Sequence, residues 1–384
     1  MEKPISVLLI VNYESNDKSI GVTKKIDGLL SAMRNKGFSV YYTSYSETSI
    51  DVVDDRDNVV FSYPYFFNGK AKDISRRFDL INAAEKYIKQ SSYRFDIVFT
   101  RWIGFDLPFI SLLKTIKKKM GSYIIIDMHS YFEGIHFPSL KGKYMTINTD
   151  LFKGTAVKYL DTILTEGSIE NMFGKKTVPA RIGVDVDSLQ KHCYKGNADE
   201  LHIISVANER PYHGYDRLIK SLAEYNNTTK KVYLHLVGVV YESTRKLVEE
   251  LKLDNHVFLY GKQSGEKLDE IYDKCNIGAG PICQFRVGGK KDSGLKTKEY
   301  FGRGIPYFFS GEENLIPEDY PYTFKIKDDD SLIDFNEIIR FYNSYASNNE
   351  VGDHMRAFAR KYYSWDAIVN DFLEDYYRTR KGIV

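Results

Sequence analysis

The sequence predicts an α/β fold with two doubly wound parallel sheets, on three observations. The chain has 384 residues, which suits two domains better than a single core. Short β-rich runs alternate with amphipathic helical patterns, as in βαβ units with right-handed crossovers. The alternation repeats after a polar stretch at residues 193–200. Each half is therefore predicted to form its own doubly wound domain.

The β-rich runs predict five strands in each half. Those of the first half are Ser6–Val11, Phe38–Ser44, Asp96–Arg101, Tyr123–Asp127 and Thr162–Thr165, with an amphipathic helix at Val22–Lys36. Those of the second half are His202–Ala207, Val232–Gly238, Val257–Gly261, Ile277–Ile282 and Ile305–Phe309, separated by helices at Tyr215–Tyr225, Ser243–Leu251 and Lys267–Lys274. The predicted domains are 1–185 and 186–365, with a C-terminal helix, 366–384, packing back on the first.

Composition restricts the class of protein. With 43% hydrophobic and 28% charged residues and a net charge of +2, nucleic acid is not expected as the main partner. No apolar run approaches the roughly 18 residues that span a bilayer. The N-terminus is interpreted as a first strand, not a signal peptide. Three cysteines without metal-ligand spacing predict reduced thiols and a cytoplasmic location.

Chemistry is expected in the loops that follow strands, because open parallel sheets bind ligands beyond the carboxyl ends of their strands. Two such sheets facing one another would form an interdomain cleft. The loops predicted to line it are Asn12–Gly21, Asp127–Glu133, Asn208–Gly214 and Gln284–Lys296.

The segment DSGLKTKEYFGRGIPYF, residues 292–308, carries the strongest candidate site. Asp292 or Ser293 is predicted to cap a helix that stops at Gly304. Lys296 would lie in the first turn, and Glu299 one turn further along the same face. A lysine at a helix N-terminus suits a diphosphate, and a carboxylate suits a ribose diol. The other interpretation is a solvated surface pair.

Three further loops offer weaker candidates, each with a purely structural alternative. Gly21 precedes a helix, where it is either a turn residue or a point of close approach to a phosphate. Arg210 and His213 follow a strand and open a helix, where they either face solvent or hold an anion. His129 comes two residues after a strand end, as a structural or a ligand-contacting histidine.

Two charge patterns remain open. Asp185–Asp187 matches the D-x-D pattern that holds a divalent ion in some glycosyltransferases, but it falls at the domain linker, so no metal site is predicted. The basic run Lys114–Lys119 is either a solvated helix face or a contact with an anionic membrane surface.

Together these segments resemble the family 4 retaining glycosyltransferases of the GT-B fold, over nearly the whole chain. The matching stretches are GVTKKIDGLLSAMRNKGFSV, RIGVDVDSL, VANERPYHGYDRL, LKTKEYFGRGIPYF and YYSWDAIVNDFLEDYY. PYHGYDRL and SGLKTKEYFGRGIP are most similar to a bacterial subset encoded with capsule and exopolysaccharide enzymes.

The resemblance implies residue roles. Glu299 matches the second glutamate of the family's E-x7-E motif and would bind the nucleotide ribose. Lys296 matches the lysine before it, and Gly21 would approach the diphosphate. His129 matches a histidine that contacts the donor sugar.

The chain also departs from the family pattern. The first glutamate of E-x7-E falls at Lys291, with Asp292 as a substitute on the donor sugar. The cations of the phosphate loop fall at Asn208 and His213, so Arg210, together with Arg286 from a later loop, would supply the charge. Arg286 would also face the donor sugar.

The function implied is transfer of a sugar, with retention, from a nucleotide-diphosphate sugar to a growing glycan or lipid-linked acceptor. The donor is a co-substrate, and neither a cofactor nor a metal is expected. The alternatives are a GT-B-fold sugar-nucleotide epimerase and a non-catalytic sugar-nucleotide-binding partner subunit. The predicted location is cytoplasmic, with peripheral contact to the inner face of the membrane as an open question.

Overall fold

The computed structural model describes residues 4–14, 21–68, 71–128, 140–165, 169–179, 181–193, 199–225, 231–288, 294–313 and 315–381. The chain divides into two compact units, the first made of Met1–Arg181 and Trp365–Val384 and the second of Ile182–Ser364. The boundaries predicted from the sequence, 185/186 and 365/366, lie four residues and one residue after the observed boundaries, 181/182 and 364/365.

Unit 1 is a nine-stranded sheet with helices on both faces. Its strands are β1 (Ser6–Tyr13), β2 (Ser39–Tyr45), β3 (Ser49–Val53), β4 (Val59–Pro64), β5 (Ile97–Arg101), β6 (Tyr123–Asp127), β7 (Thr162–Thr165), β8 (Asn171–Met172) and β9 (Lys175–Pro179). Its helices are α1 (Gly21–Asn35), α2 (Lys72–Gln90), α3 (Leu107–Met120), α4 (Leu140–Ala156) and, from the end of the chain, α11 (Trp365–Lys381).

The strand order of unit 1 is β4-β3-β2-β1-β5-β6-β7-β9-β8. Parallel pairing runs from β2 through β1, β5, β6 and β7 to β9. The antiparallel hairpin of β3 and β4 is absent from the sequence prediction, which assumed wholly parallel sheets. The sequence does carry a turn signal at this hairpin, the turn-forming residue Asp54. In the structure Asp54 Oδ1 accepts from the backbone N–H groups of Arg56 and Asn58, at 2.9 and 2.8 Å, and these bonds stabilise the turn.

Helix α11 completes one face of the unit 1 sheet. Its side chains Val369 and Phe372 are buried with Leu9 of β1 and Phe99 of β5 in one core cluster. The Trp365 ring lies directly over α1, so close that a Cβ at Gly28 would come within 2.1 Å of it. The C-terminal segment is therefore part of the first unit's core.

Unit 2 is a six-stranded, wholly parallel sheet. Its strands are β10 (Glu200–Val206), β11 (Lys231–Val237), β12 (Val257–Gly261), β13 (Ile277–Ala279), β14 (Tyr307–Phe309) and β15 (Thr323–Lys325). Its helices are α5 (Tyr215–Tyr225), α6 (Glu242–Glu250), α7 (Glu266–Asp273), α8 (Leu295–Arg303), α9 (Phe335–Tyr345) and α10 (Val351–Tyr362). The predicted α/β class with two doubly wound domains is confirmed.

The two faces of the unit 2 sheet carry separate cores, one against α5 and α9 and one against α7, α8 and α10. Helix α8 ends as predicted at Gly304, which has φ +78°. A Cβ there would also meet the Gly352 backbone at 2.6 Å, so both the conformation and the close approach of α10 require glycine. Helix α8, which carries Lys296, is thus fixed at its C-terminal end.

Candidate functional site

The strand order of unit 2, β12-β11-β10-β13-β14-β15, reverses direction between β10 and β13. The chain leaves β10 toward β11 on one side and leaves β13 toward β14 on the other. The connections that follow β10 and β13 therefore run to opposite sides of the sheet, and the carboxyl edge between these two strands, called the crevice below, is a topological switch point. Such switch points are where open α/β sheets bind ligands.

Lys296, in the first turn of α8, lies buried at this switch point. Its ammonium donates to Ser205 Oγ of β10 at 3.3 Å, and Ser205 Oγ donates to the carbonyl of Ala279 on β13 at 3.3 Å. Burial lowers the pKa of Lys296 to about 7, against a smaller opposing effect of the Glu313 carboxylate. An anionic ligand bound beside this amine would therefore keep it protonated.

The cap of α8 differs from the prediction. The N-cap residue is Gly294, with extended backbone and no side-chain cap, rather than Asp292 or Ser293. Thr297 Oγ1 donates to the Gly294 carbonyl at 2.9 Å, which fixes the first turn. The first N–H groups of an α-helix have no partner within the helix, and such groups bind anions.

The loop after β10 presents His213 as a neutral donor, not as a cation. Burial, helped by the charges of Lys296 and Arg210, lowers the pKa of His213 to about 2. His213 Nδ1 accepts from the backbone N–H of Arg210 at 3.1 Å, so the ring proton of the neutral form lies on Nε2. Because the charges of Lys296 and Arg210 both act on the His213 ring, the three side chains belong to one cluster. Arg210 is its exposed member.

Close packing holds this loop against the loop after β13. The Tyr212 carbonyl accepts from the N–H groups of Ile282 and Cys283, at 3.2 and 3.0 Å. Gly214 has φ +67°, and a Cβ there would lie 2.6 Å from Cys283 Sγ. The sequence places glycine where the two crevice walls meet.

Arg286, predicted to face the donor sugar, is held by carboxylates instead. Its guanidinium pairs with Asp216 at 2.7 Å and with Asp330 at 2.5 Å, and these partners raise its pKa above the usual value. A ligand would have to compete with both carboxylates. The structure gives Arg286 the role of joining the loop after β13 to α5 and to the 327–330 turn, and its donor contact stays a prediction.

Glu299 lies half-buried one turn after Lys296 on α8. Burial raises the pKa of Tyr272 and Tyr300 well above the usual value, and the Glu299 carboxylate adds to this, so it lies near both rings. Its contact with a ribose stays a prediction. Ser205 and Glu313 were missed by the sequence analysis because neither belongs to a recognisable motif.

Other predicted residues are found elsewhere or fall outside the described residues. Gly21 is the first residue of α1 in unit 1. His129, Lys291, Asp292 and Ser293 lie outside the described residues.

The carboxyl edge of the unit 1 sheet carries a charged cluster that the sequence analysis did not find. The buried Asp127 carboxylate, at the end of β6, pairs with Lys25 of α1 at 2.6 Å and lies 3.8 Å from Arg101 of β5. Arg101 also donates to Asn12 Oδ1 at 3.2 Å. These contacts join α1, β1, β5 and β6 near that sheet's own switch point.

Among the described residues, no group of three or more histidine, cysteine or acidic side chains is arranged to hold a metal ion. The D-x-D residues have structural partners: Asp185 Oδ1 accepts from the N–H groups of Asp187 and Ser188, and Asp187 pairs with Arg360 at 2.8 Å. None of the helices in the described part of the chain has the length and apolar character needed to cross a bilayer.

Two Rossmann-like parallel-sheet units of this kind define the architecture of the GT-B proteins. Residues 191–281, which include β10, the Arg210–His213 loop and β13, match the family model of the Glycosyl transferases group 1. No curated protein sequence matches the chain.

Solved structures share the fold at low identity. The catalytic domain of starch synthase IV from Arabidopsis thaliana, bound to ADP and acarbose, is 13% identical with a TM-score of 0.65, covering 98% of this chain and 99% of that one. Sucrose-phosphate synthase from Thermosynechococcus elongatus is 14% identical with a TM-score of 0.60, covering 100% of both chains. A putative UDP-N-acetylglucosamine 2-epimerase from Listeria monocytogenes is 12% identical with a TM-score of 0.57, covering 100% and 98%.

Proposed function

We propose that the protein is a glycosyltransferase whose unit 2 binds a nucleotide-diphosphate sugar at the crevice between β10 and β13. The observation that carries the proposal is the buried Lys296 ammonium in the first turn of α8. An amine in that position is costly unless a ligand anion restores its charge and supplies hydrogen bonds. The match of residues 191–281 to the group 1 glycosyl transferases supports the same conclusion.

Each residue of the cluster has a part in this proposal. The N–H groups at the start of α8, Lys296 and Arg210 take the diphosphate, and His213 Nε2–H donates to it. The Glu299 carboxylate accepts from the ribose hydroxyls. An approach of Gly21 to the diphosphate stays a prediction. His129, Asp292, Ser293 and Arg286 stay predicted donor contacts.

The proposed reaction is retaining transfer to a growing glycan or lipid-linked acceptor. The bond from the anomeric carbon to the β-phosphate oxygen breaks, and the acceptor oxygen forms its new bond on the same face of the sugar. The acceptor proton goes to the departing phosphate oxygen, so no protein base is required. Fixed cations and the helix N-terminus stabilise the charge that develops on the diphosphate.

The testing experiment is a thermal-shift screen over nucleotide-sugars, followed by transfer assays with the donor that stabilises most. A ligand that binds only the native state raises the melting temperature by mass action. We expect one nucleotide-sugar to give a clear shift, and its nucleotide to be released only when a saccharide acceptor is added. No shift with any nucleotide-sugar would refute the donor site.

The likeness to a putative 2-epimerase keeps a second candidate, a sugar-nucleotide epimerase. An epimerase would change the donor without any acceptor. Nucleotide release that depends on an acceptor excludes it. A binding-only partner subunit is distinguished by nucleotide binding with neither transfer nor donor hydrolysis.

The basic run Lys114–Lys119 was one hypothesis for membrane contact. In the structure these lysines form the last turns of α3, and two have local partners: Lys117 pairs with Asp161, and Lys119 donates to the carbonyl of Lys89. Burial lowers the pKa of Lys117. A cytoplasmic location and a role for this run at the membrane stay proposals.

A further inference from the structure

Helix α4 of unit 1 has two apolar faces, whereas a surface helix of a globular protein needs only one. The first face packs inward: Met145, Phe152 and Ala156 contact the unit's core. The second consists of Tyr144, Ile147 and Leu151, which are 43%, 55% and 72% exposed. Their spacing of three and four residues aligns them along one side of the helix.

Polar residues occupy part of the buried side of this helix. Thr149 is fully buried, and its Oγ1 accepts from Trp102 Nε1 at 3.2 Å and from the Phe105 N–H at 3.1 Å. Thr146, also buried, donates to the Gly142 carbonyl at 3.0 Å. The helix thus buries threonines while it exposes a leucine and an isoleucine, which packing within unit 1 does not explain.

The exposed face continues onto neighbouring helices. Tyr144 OH donates to Asp106 Oδ2 at 3.1 Å, and Leu107, the next residue, is 67% exposed at the start of α3. The Arg77 guanidinium of α2 lies 5.0 Å from the Phe78 ring and 6.0 Å from the Tyr144 ring. We define the α4 face as Phe78, Leu107, Tyr144, Ile147 and Leu151. Contiguous exposed apolar surface of this kind marks an interaction site.

Charge indicates what covers the α4 face. Residues 140–159 hold four lysines and one aspartate, a net charge of +3, although the whole chain carries only +2. In a two-fold dimer each copy of this surface would meet its equivalent, so like charges would face each other. An aromatic and aliphatic helix face in a segment with exposed lysines, here Lys143 and Lys158, suits the interface of an anionic bilayer.

We propose that the α4 face docks the protein on an anionic lipid surface, with Ile147 and Leu151 inserted among the acyl chains. This docking does not involve the donor site of unit 2. Its purpose rests on the proposed function, because it assumes a lipid-linked acceptor. Because α3 starts after β5 and α4 runs from the end of β6 back toward the start of β7, the end of the α4 face with Leu107 and Tyr144 lies toward the carboxyl edge of the unit 1 sheet. Docking there would bring a membrane-held acceptor to the edge where open sheets bind ligands.

The test is flotation of the full-length protein with vesicles of phosphatidylcholine containing phosphatidylglycerol, and with phosphatidylcholine alone. We expect binding to the anionic vesicles that added salt weakens. Ile147→Ser and Leu151→Ser should each lower the partition coefficient about tenfold, the effect of losing one partly inserted aliphatic side chain. The matched control is Leu332→Ser, at a leucine of unit 2 about as exposed as Ile147, and this variant should bind like wild type.

Thermal unfolding and nucleotide-sugar affinity, measured on the same preparations, separate this test from that of the donor site. If the wild type does not bind the anionic vesicles, the inference is overturned. This holds for a monomer and equally for a dimer that Ile147→Ser dissociates, in which case the α4 face would contact a second copy. Binding that both serine variants retain in full also overturns it, since the contact would then lie elsewhere. Normal vesicle binding with no nucleotide affinity would leave the inference standing and refute the donor site.

Discussion

The ammonium of Lys296 lies 3.3 Å from Ser205 Oγ, across the switch point of the unit 2 sheet. One residue belongs to the first turn of α8 and the other to β10, so the contact joins the two elements that frame the crevice. It places a titratable amine beside buried strands, at the carboxyl edge of the sheet, where open parallel sheets bind ligands.

Replacing this lysine should lower activity and raise stability. We expect Lys296→Met to reduce turnover by about 10²–10³-fold, the effect of losing about 3–4 kcal/mol of transition-state stabilisation. Without ligand, the lysine's pKa is about 7 in the folded protein, below its unfolded value. Unfolding therefore takes up a proton between these pKa values, and the buried charge costs most below pH 7.

The variant should consequently melt higher than wild type at pH 6, and the difference should shrink as the pH rises toward 10. Differential scanning calorimetry across this range measures it. Lys267→Met, at an exposed lysine of α7, is the control and should match wild type in both activity and melting. A Lys296→Met enzyme with near wild-type turnover would contradict the proposed role.

Glu299→Ala should weaken nucleotide-sugar binding without unfolding the protein. Losing a charged acceptor for a diol costs about 1.5–3 kcal/mol, or roughly ten- to hundredfold in affinity. Calorimetric titration gives the affinity, and Glu270→Ala, at an exposed glutamate of α7, is the control. Unchanged affinity in a folded Glu299→Ala protein would remove the ribose assignment.

His213 should act as a fixed neutral group. Asparagine at this position keeps an acceptor near Nδ1 for the Arg210 N–H, whereas phenylalanine leaves that donor without one. We expect His213→Phe to bind donor about tenfold more weakly than His213→Asn, through disorder of the loop. Since the pKa is about 2, NMR should show no His213 titration between pH 5 and 8. A titration midpoint near 6.5 would show that the ring is not buried as described.

Sequence patterns predicted five of the nine strands of unit 1, five of the six strands of unit 2 and the stop of α8 at Gly304, because strand–helix alternation and a C-terminal glycine are local signals. The site was only partly predictable. Lys296 and Glu299 share one helix, and their spacing shows in the sequence. The neutrality of His213 depends on burial by segments distant in the chain, and the pairing of Arg286 with Asp216 joins residues 70 apart. Such long-range contacts leave no periodic signal.

Transfer is predicted to persist in excess EDTA. Charge on a leaving diphosphate is neutralised either by a divalent ion or by fixed cations and a helix N-terminus. Here Lys296, Arg210 and the start of α8 provide the second means. Activity is to be assayed after dialysis against EDTA, with Mn²⁺ and Mg²⁺ added back. Loss of transfer on chelation with recovery on adding metal would refute the prediction.

Proton uptake on donor binding tests the central claim, that Lys296 holds the diphosphate, most directly. Without ligand the pKa of Lys296 is about 7, and an adjacent diphosphate should raise it, so the complex holds more protons above pH 7. Titration calorimetry with the stabilising nucleotide-sugar at pH 8, in two buffers of different ionisation enthalpy, should show uptake of about nine tenths of a proton. Affinity should fall as the pH rises above 7, and Lys296→Met should show neither effect. Donor binding without proton uptake, at an affinity that Lys296→Met retains, would contradict the account.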